Sequence, residues 1–133
     1  MPVGALNHIN IYAVDLEASR RFWRDVLGFE DGDRPPLAFP GHWMWSAGAP
    51  TVHLVGPRDT DAERPPRRTG PTGQFDHVAF HATGLAAMRE RLQKHGVAFR
   101  EQVVPRDGQV QIFLHDPNGV GVELNFPPGE ADR

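Results

Sequence analysis

The sequence predicts an α+β fold made of two copies of one βαβββ module. The segment around His8 is matched by the segment around His77, and each is followed by a helical pattern that a glycine ends. Further along, the segment around His53 is matched by the segment around Glu123. The offset between the copies is 69 residues for the first match (77 − 8) and 70 for the second (123 − 53). Two matches in the same order with nearly the same spacing indicate an internal repeat.

The first strand of each copy alternates between apolar and other residues, as a half-buried strand does. This alternation assigns the residues of each strand to two opposite faces of a sheet. The apolar faces hold Ile9 and Ile11 in module one (residues 5–57) and Val78 and Phe80 in module two (residues 74–127), and the opposite faces hold His8, Asn10 and Tyr12, and His77, Ala79 and His81.

A helix is predicted after each first strand. Asp15 and Thr83 stand where N-cap residues are expected, and Gly28 and Gly96 stand where a left-handed residue after a helix is favoured. Each helix carries one apolar stripe that should face its sheet. The stripes consist of Leu16, Ser19, Trp23, Val26 and Leu27 in the first helix and of Leu85, Met88 and Leu92 in the second.

Three further strands are predicted in each module, at 29–34, 42–47 and 51–56 and at 97–104, 109–115 and 120–126. The run Asp116-Pro117-Asn118-Gly119 predicts a tight turn between the last two. The connector, residues 58–73, is rich in Pro, Arg, Asp and Thr and predicts a mobile link, and the tail, residues 128–133, is expected to fray. Residues 1–133 are expected to form a single domain.

Composition excludes several classes of function. The formal net charge is only −3, which offers no basic surface for nucleic acid or an anionic membrane. The chain has no cysteine, so disulfides, thiolate nucleophiles and thiolate zinc sites are excluded. No apolar run is long enough to cross a bilayer, and the first residues lack the features of a secretion signal. A cytoplasmic location is therefore expected.

Four polar residues interrupt apolar strand patterns at equivalent places in the repeat. His8 and His77 lie on the polar faces of the two first strands, whereas His53 and Glu123 each lie between two apolar residues of a last strand. A strand that turns its apolar residues towards a helix turns the others to the opposite side of the sheet. A glutamate in such a place is costly to bury unless a positive charge neutralises it. A divalent cation would do so, and three imidazoles with one carboxylate suit Zn, Fe, Co, Ni or Mn.

Two βαβββ modules, a histidine on the first strand of each, and Val-Glu-Leu after an Asp-Pro-Asn-Gly turn resemble the vicinal oxygen chelate superfamily. That superfamily includes glyoxalase I, methylmalonyl-CoA epimerase, the fosfomycin resistance enzymes, extradiol dioxygenases and bleomycin-binding proteins. The resemblance extends from about Leu6 to Pro127. It implies a cup-shaped mixed sheet with helices on the outside, a homodimer, and a small-molecule substrate bound to a metal. The implied metal ligands are His8, His53, His77 and Glu123.

The expected reaction depends on the role of His53, because the glyoxalase I pattern carries Glu or Gln at this position. His53 is either a fourth ligand or a proton-transfer group, and Glu123 is a ligand and an intermittent base. Four protein ligands leave two positions in an octahedral shell, which favours lyase or isomerase chemistry on two adjacent substrate oxygens. His8, His77 and Glu123 alone resemble the triad of extradiol dioxygenases, which usually add a tyrosine near the last strands; the only tyrosine here is Tyr12. A metal-free drug-binding protein is the remaining alternative.

Further residues are expected to line the cup and contact the substrate, whereas three histidines in turns or at helix ends are expected to be exposed. The expected substrate contacts are Asn10, Tyr12, Trp45, His81, Gln111 and Phe113, and the expected exposed histidines are His42, His95 and His115.

Overall fold

The computed structural model describes residues 2–58 and 69–130. The chain divides into two compact units, Met1–Thr69 and Gly70–Arg133, and each contains one βαβββ module, as the repeat predicts. Residues 59–68 of the predicted connector and residues 131–133 of the predicted tail lie outside the described residues. Within the described ranges, no helix combines the length and hydropathy that a bilayer crossing requires.

The first unit contains a four-stranded mixed sheet and one helix. The sheet order is β1-β4-β3-β2; β1 runs parallel to β4, and the other pairs are antiparallel. The elements are β1 (Ile9–Tyr12), α1 (Leu16–Arg21), a π-helical continuation of α1 (Phe22–Val26), β2 (Glu30–Gly32), β3 (Gly41–Ser46) and β4 (Ala49–Val55).

The second unit repeats this topology. Its sheet order is β5-β8-β7-β6, with β5 parallel to β8 and the other pairs antiparallel. All the predicted strands form, although those predicted at 29–34 and 97–104 are shorter than expected. The elements are β5 (His77–His81), α2 (Leu85–Lys94), β6 (Arg100–Val103), β7 (Val110–His115) and β8 (Gly121–Phe126).

The predicted helix stripes form the helical side of each core. Leu16 is half-buried and every other stripe residue is buried. Trp23 is fully buried in the π-helical turn, and its ring meets that of Phe29 edge-on at 5.1 Å. Gly28 and Gly96 have φ of 82° and 67°, so both helices end at a left-handed glycine as predicted.

The helix N-termini are capped in two different ways. Asp15 caps α1 as predicted, since its Oδ1 accepts from the Ala18 N–H at 3.0 Å. The prediction of Thr83 for α2 is wrong, because the N-cap is Gly84, which has no side chain to accept a hydrogen bond. Glu130 supplies the acceptor, and its Oε1 receives the N–H groups of Gly84 at 3.1 Å and Leu85 at 3.3 Å. Glu130 of the predicted tail thus contacts the start of α2, whereas the fraying of residues 128–133 stays a prediction.

Two features of the backbone near the start of β8 fix the position of this strand. Asp116 Oδ1 accepts from the N–H groups of Asn118 at 2.9 Å and Val120 at 2.8 Å, which closes the predicted turn before β8. At the start of β8, a Cβ on Gly121 would lie 2.2 Å from the Asp76 carbonyl oxygen. Only glycine therefore lets β5 approach β8 this closely.

We expect Glu130→Ala to lower the free energy of unfolding by about 1 kcal/mol, because two N–H groups at the start of α2 lose their acceptor. Glu90→Ala is the matched control, since Glu90 is an exposed residue of the same helix. Urea denaturation followed by circular dichroism measures both. Equal stability of the two variants would contradict the capping role of Glu130.

Candidate metal centre

The parallel pairing of first and last strands gives the same register in both units. In the first unit, His53 pairs with Asn10, two residues after His8. In the second unit, Glu123 pairs with the residue two positions after His77. Residues two apart on a strand share a face, so each unit brings two of the four predicted ligands to one face of its sheet.

In the first unit, the predicted ligands form a three-ring stack with an indole. The His8 and His53 rings lie 3.8 Å apart between centroids with an interplanar angle of 10°. On its other side, the His53 ring stacks on Trp43 at 4.1 Å and 11°. Trp43 is the partner of His53 across β3 and β4, so the sheet register itself brings the two rings together. The imidazole of His53 is held between two flat rings.

The His53 ring has one nitrogen that lacks a partner. It donates a hydrogen bond to the backbone carbonyl of Pro50, whereas its Nε2 is buried and has no hydrogen-bond partner among the described residues. Burial lowers the pKa of His53, and the neighbouring charges of His8 and Arg34 lower it further. The backbone of Pro50 opposes these effects. The neutral imidazole that this shift favours is the form that binds metals.

The stack also limits how the two histidines can act together. The lone pair of an imidazole nitrogen lies in the ring plane, and two nearly parallel planes 3.8 Å apart cannot both contain one ion. His8 and His53 can therefore bind the same metal only after one ring turns. His8 is exposed and lies at the end of the stack, so it is the ring with room to turn.

In the second unit, the predicted ligands are a carboxylate and an imidazole in contact. Glu123 is only 9% exposed, and its Oε1 lies 3.2 Å from the Nε2 of His77. Its Oε2 accepts hydrogen bonds from the side-chain amides of Asn125 at 2.8 Å and Gln111 at 3.2 Å. The ring of Phe113 meets the His77 ring edge-on at 6.2 Å.

The residue before each first-strand histidine orients the imidazole. Nδ1 of His8 lies 2.6 Å from Oδ1 of Asn7, and Nδ1 of His77 lies 2.7 Å from Oδ2 of Asp76. Because both oxygens can accept, a proton on Nδ1 satisfies each contact, and this tautomer leaves the Nε2 lone pair for a metal. Asn7 and Asp76 are not among the residues predicted for the site, although a polar residue precedes the histidine in both copies and could have indicated them.

The donor atoms of the second unit are spaced as two ligands of one divalent metal would be. Two ligand atoms that each lie about 2.1 Å from one ion are separated by about 3.0–3.4 Å for angles between octahedral and tetrahedral. The 3.2 Å between His77 Nε2 and Glu123 Oε1 falls in that range, although it also suits a direct hydrogen bond. Among residues 2–58 and 69–130, no three His, Asp or Glu side chains form a metal-binding cluster. The predicted ligands occur as two pairs, one in each unit.

The residues predicted to contact substrate have varied settings. The indole N–H of Trp45 already has an acceptor, because it donates a hydrogen bond to the Asp33 carbonyl at 3.1 Å. Asn10 is exposed and Tyr12 is half-buried. His81 is exposed and lines a cavity of about 390 Å³, together with Thr83, Gln109, Asn125 and neighbouring residues.

Two other residues that are predicted to contact substrate also touch predicted ligands. Gln111 donates to Glu123, and Phe113 lies against His77. The guanidinium of Arg100 lies over the Phe113 ring at 4.4 Å.

Of the three histidines expected to be exposed, His95 and His115 are exposed as predicted, whereas the third, His42, is half-buried. Its Nδ1 lies 3.5 Å from an Asp31 carboxylate oxygen.

We expect His53 in the metal-free protein to titrate below the ordinary histidine pKa of about 6.5. His8→Asn should raise the pKa of His53, because it removes a neighbouring positive charge, but burial should keep it below that of a free histidine. In the unsubstituted protein, the pKa of His53 is lower in the folded state than in the unfolded chain, so the folded state binds fewer protons between these two pKa values. The contribution of His53 to folding stability therefore falls as the pH drops below about 6.5. NMR titration of the imidazole resonances measures the shift.

His42→Asn is the control for this titration, since His42 is not among the groups that shift the pKa of His53. A His53 midpoint at or above 6.5, or one that His8→Asn leaves unchanged, would refute the expected effect.

Comparisons with known proteins agree with this architecture. Residues 5–124 match the model of the Glyoxalase/Bleomycin resistance protein/Dioxygenase superfamily. The chain is 29% identical to glyoxylase I 4 of Arabidopsis thaliana over 90% of this chain and 69% of that protein. It is 30% identical to the mitochondrial methylmalonyl-CoA epimerase of Bos taurus over 92% of this chain and 74% of that one.

Among solved structures, the fosfomycin resistance protein FosX of Listeria monocytogenes superposes with a TM-score of 0.70 at 17% identity, over 96% of this chain and 97% of that one. This structural likeness concerns the fold. The family match over nearly the whole chain concerns descent, and with it the chain belongs to the Glyoxalase/Bleomycin resistance protein/Dioxygenase superfamily.

Proposed function

We propose that this protein is a divalent-metal-dependent enzyme that binds two adjacent oxygens of a small substrate and carries out lyase or isomerase chemistry. The observation that carries the proposal is the nearly buried carboxylate of Glu123, whose Oε1 faces the Nε2 of His77. Curated relatives named as a glyoxylase I and as epimerases support an enzyme at the level of the family.

The proposed ligands are His8, His77 and Glu123, with His53 as the fourth. The metal is one of Zn, Fe, Ni, Co or Mn, since imidazole and carboxylate donors suit all five. When bound, the ion supplies a Lewis acid that stabilises negative charge on a substrate oxygen. The acceptor oxygens of Asn7 and Asp76 favour the tautomer of the two first-strand imidazoles that carries its proton on Nδ1, and that tautomer leaves Nε2 for ligation.

His53 and Glu123 are the residues that we propose to handle protons. Nε2 of His53 is buried and unpartnered among the described residues, so it is available either to a metal or to a substrate proton. The stacked rings of His8 and Trp43 hold this imidazole in one plane. A base that is held in a fixed plane loses little freedom when the substrate arrives, which favours proton transfer.

The ring stack favours one second candidate. If the stack persists in the metal-loaded protein, His53 stays off the metal and the ligand set is His8, His77 and Glu123. Two histidines and one carboxylate leave three positions open, as non-haem iron oxygenases require. Extradiol-type dioxygenase chemistry with Fe(II) is therefore the alternative that the geometry of the first unit supports.

We expect metal-free protein to bind Zn²⁺ or Mn²⁺ at one equivalent per chain. His77→Gln and Glu123→Gln should each weaken binding by more than about 100-fold, because each removes a donor atom. Glu101→Gln is the control, since Glu101 pairs with Arg89 at 2.6 Å rather than with a predicted ligand. Isothermal titration calorimetry gives the affinities. No binding of Zn, Fe, Ni, Co or Mn by the unsubstituted protein would overturn the proposal.

Activity assays separate the candidate reactions. Metal-loaded protein should be screened against hemithioacetals, racemic methylmalonyl-CoA and epoxides, and anaerobically Fe(II)-loaded protein against catechols. Metal-dependent turnover of one of the first three supports lyase or isomerase chemistry. Oxygen uptake with a catechol supports the dioxygenase instead, and tight binding of bleomycin by protein that binds no metal supports a drug-binding protein.

A further inference from the structure

We infer that Gln111 and Asn125 are positioning residues that leave Glu123 a single oxygen, Oε1, with which to bind the metal. The inference rests on the proposed function and adds how its carboxylate ligand is held. Gln111 donates to Oε2 of Glu123 at 3.2 Å and Asn125 donates to the same oxygen at 2.8 Å. Neither hydrogen bond involves Oε1, which faces His77.

The sheet register brings these residues together. Asn125 lies two positions after Glu123 on β8, so the two side chains share a face. Gln111 is the direct cross-strand partner of Asn125 on β7. Both amides therefore reach the same carboxylate from backbone positions that the sheet fixes, and Glu123 itself is nearly buried.

The two hydrogen bonds use the lone pairs of one carboxylate oxygen of Glu123 and leave the lone pairs of the other available to a metal. A carboxylate oxygen offers about two lone-pair directions. Both directions on Oε2 are taken by N–H donors, whereas the partner of Oε1 among the described residues is the Nε2 of His77. A rotation of the carboxylate away from this orientation would break both amide contacts. Glu123 is thus held as a one-oxygen ligand in a single orientation.

A chain of hydrogen bonds sets the direction in which Gln111 donates. Arg100 Nη1 donates to Oε1 of Gln102 at 3.2 Å, and Nε2 of Gln102 donates to Oε1 of Gln111 at 2.7 Å. Gln102 is the direct cross-strand partner of Gln111, so the chain crosses the sheet from β6 to β8. Its last step is the bond from Gln111 to Glu123.

The two ends of this chain allow only one arrangement of the amides between them. A guanidinium only donates hydrogen bonds and a carboxylate only accepts them. If either Gln102 or Gln111 turned its amide over, one contact would join two donors and another two acceptors. Arg100 therefore fixes, through two carboxamides, which end of Gln111 faces Glu123. This arrangement explains why polar side chains occupy three neighbouring strands in one row.

The test compares metal affinity in variants that keep the size of each side chain. We expect Asn125→Leu and Gln111→Met each to weaken Zn²⁺ binding by about 10–100-fold, as the loss of a contact that orients a ligand does. Gln102→Met should cause a smaller loss than Gln111→Met, because it removes only the group that fixes the direction of Gln111. Gln93→Met, an exposed glutamine on α2, is the matched control and should bind like the unsubstituted protein.

Two further measurements distinguish positioning from a general loss of structure. The unfolding midpoints of the metal-free variants should stay close to that of the unsubstituted protein. The visible absorption of the Co²⁺-loaded Asn125→Leu and Gln111→Met variants should change, because a carboxylate that is free to turn alters the coordination of the ion. Gln93→Met should leave the Co²⁺ spectrum unchanged.

The outcomes separate this inference from the proposed function. If the unsubstituted protein binds Zn²⁺ and both amide variants bind it equally well with unchanged Co²⁺ spectra, the positioning role is wrong and the proposed function stands. If the unsubstituted protein binds no metal, the proposed function fails, and this inference fails with it. Weaker binding with altered Co²⁺ spectra in folded Asn125→Leu and Gln111→Met supports the inference.

Discussion

The parallel pairing of the first and last strand in each module is the constraint on which the candidate site depends. This pairing places His53 two positions past the level of His8, and Glu123 two positions past that of His77. Parallel strands cannot be joined by a short turn, so the helix and two further strands are the connection that lets them pair. In the second unit, the pairing also needs a glycine, because any side chain at Gly121 would strike the backbone at Asp76.

The same strand pairing positions chemically different side chains in the two modules. In the first, flat rings pack face to face on His53, which leaves one buried nitrogen without a partner among the described residues. In the second, amides surround Glu123 and satisfy one of its two oxygens. Each arrangement follows from the residue opposite the predicted ligand and its neighbours on the same face. A ring is thus held by stacking, and a carboxylate is held by hydrogen bonds, which suits their different shapes and charges.

Much of the fold could be predicted from the sequence because its signals are local or repeat. Alternation along β1 and β5, the helix stripes and the Asp116 turn each depend on a few neighbouring residues, and all of them are found in the structure. The cap of α2 could not be predicted in this way. Its acceptor, Glu130, lies more than 40 residues from Gly84 along the chain, and no local pattern relates the two.

The sequence by itself determined that the chain has two βαβββ modules and that His8, His53, His77 and Glu123 lie at equivalent places, because strand periodicity and an internal repeat specify faces. Only the tertiary structure decided what each of these side chains touches. The ring stack on His53, the amide contacts of Glu123 and the direction of the hydrogen bonds that run from Arg100 to Glu123 depend on rotamers and cross-strand distances. Periodicity assigns a residue to a face, but its partners are set only when separate strands pack together.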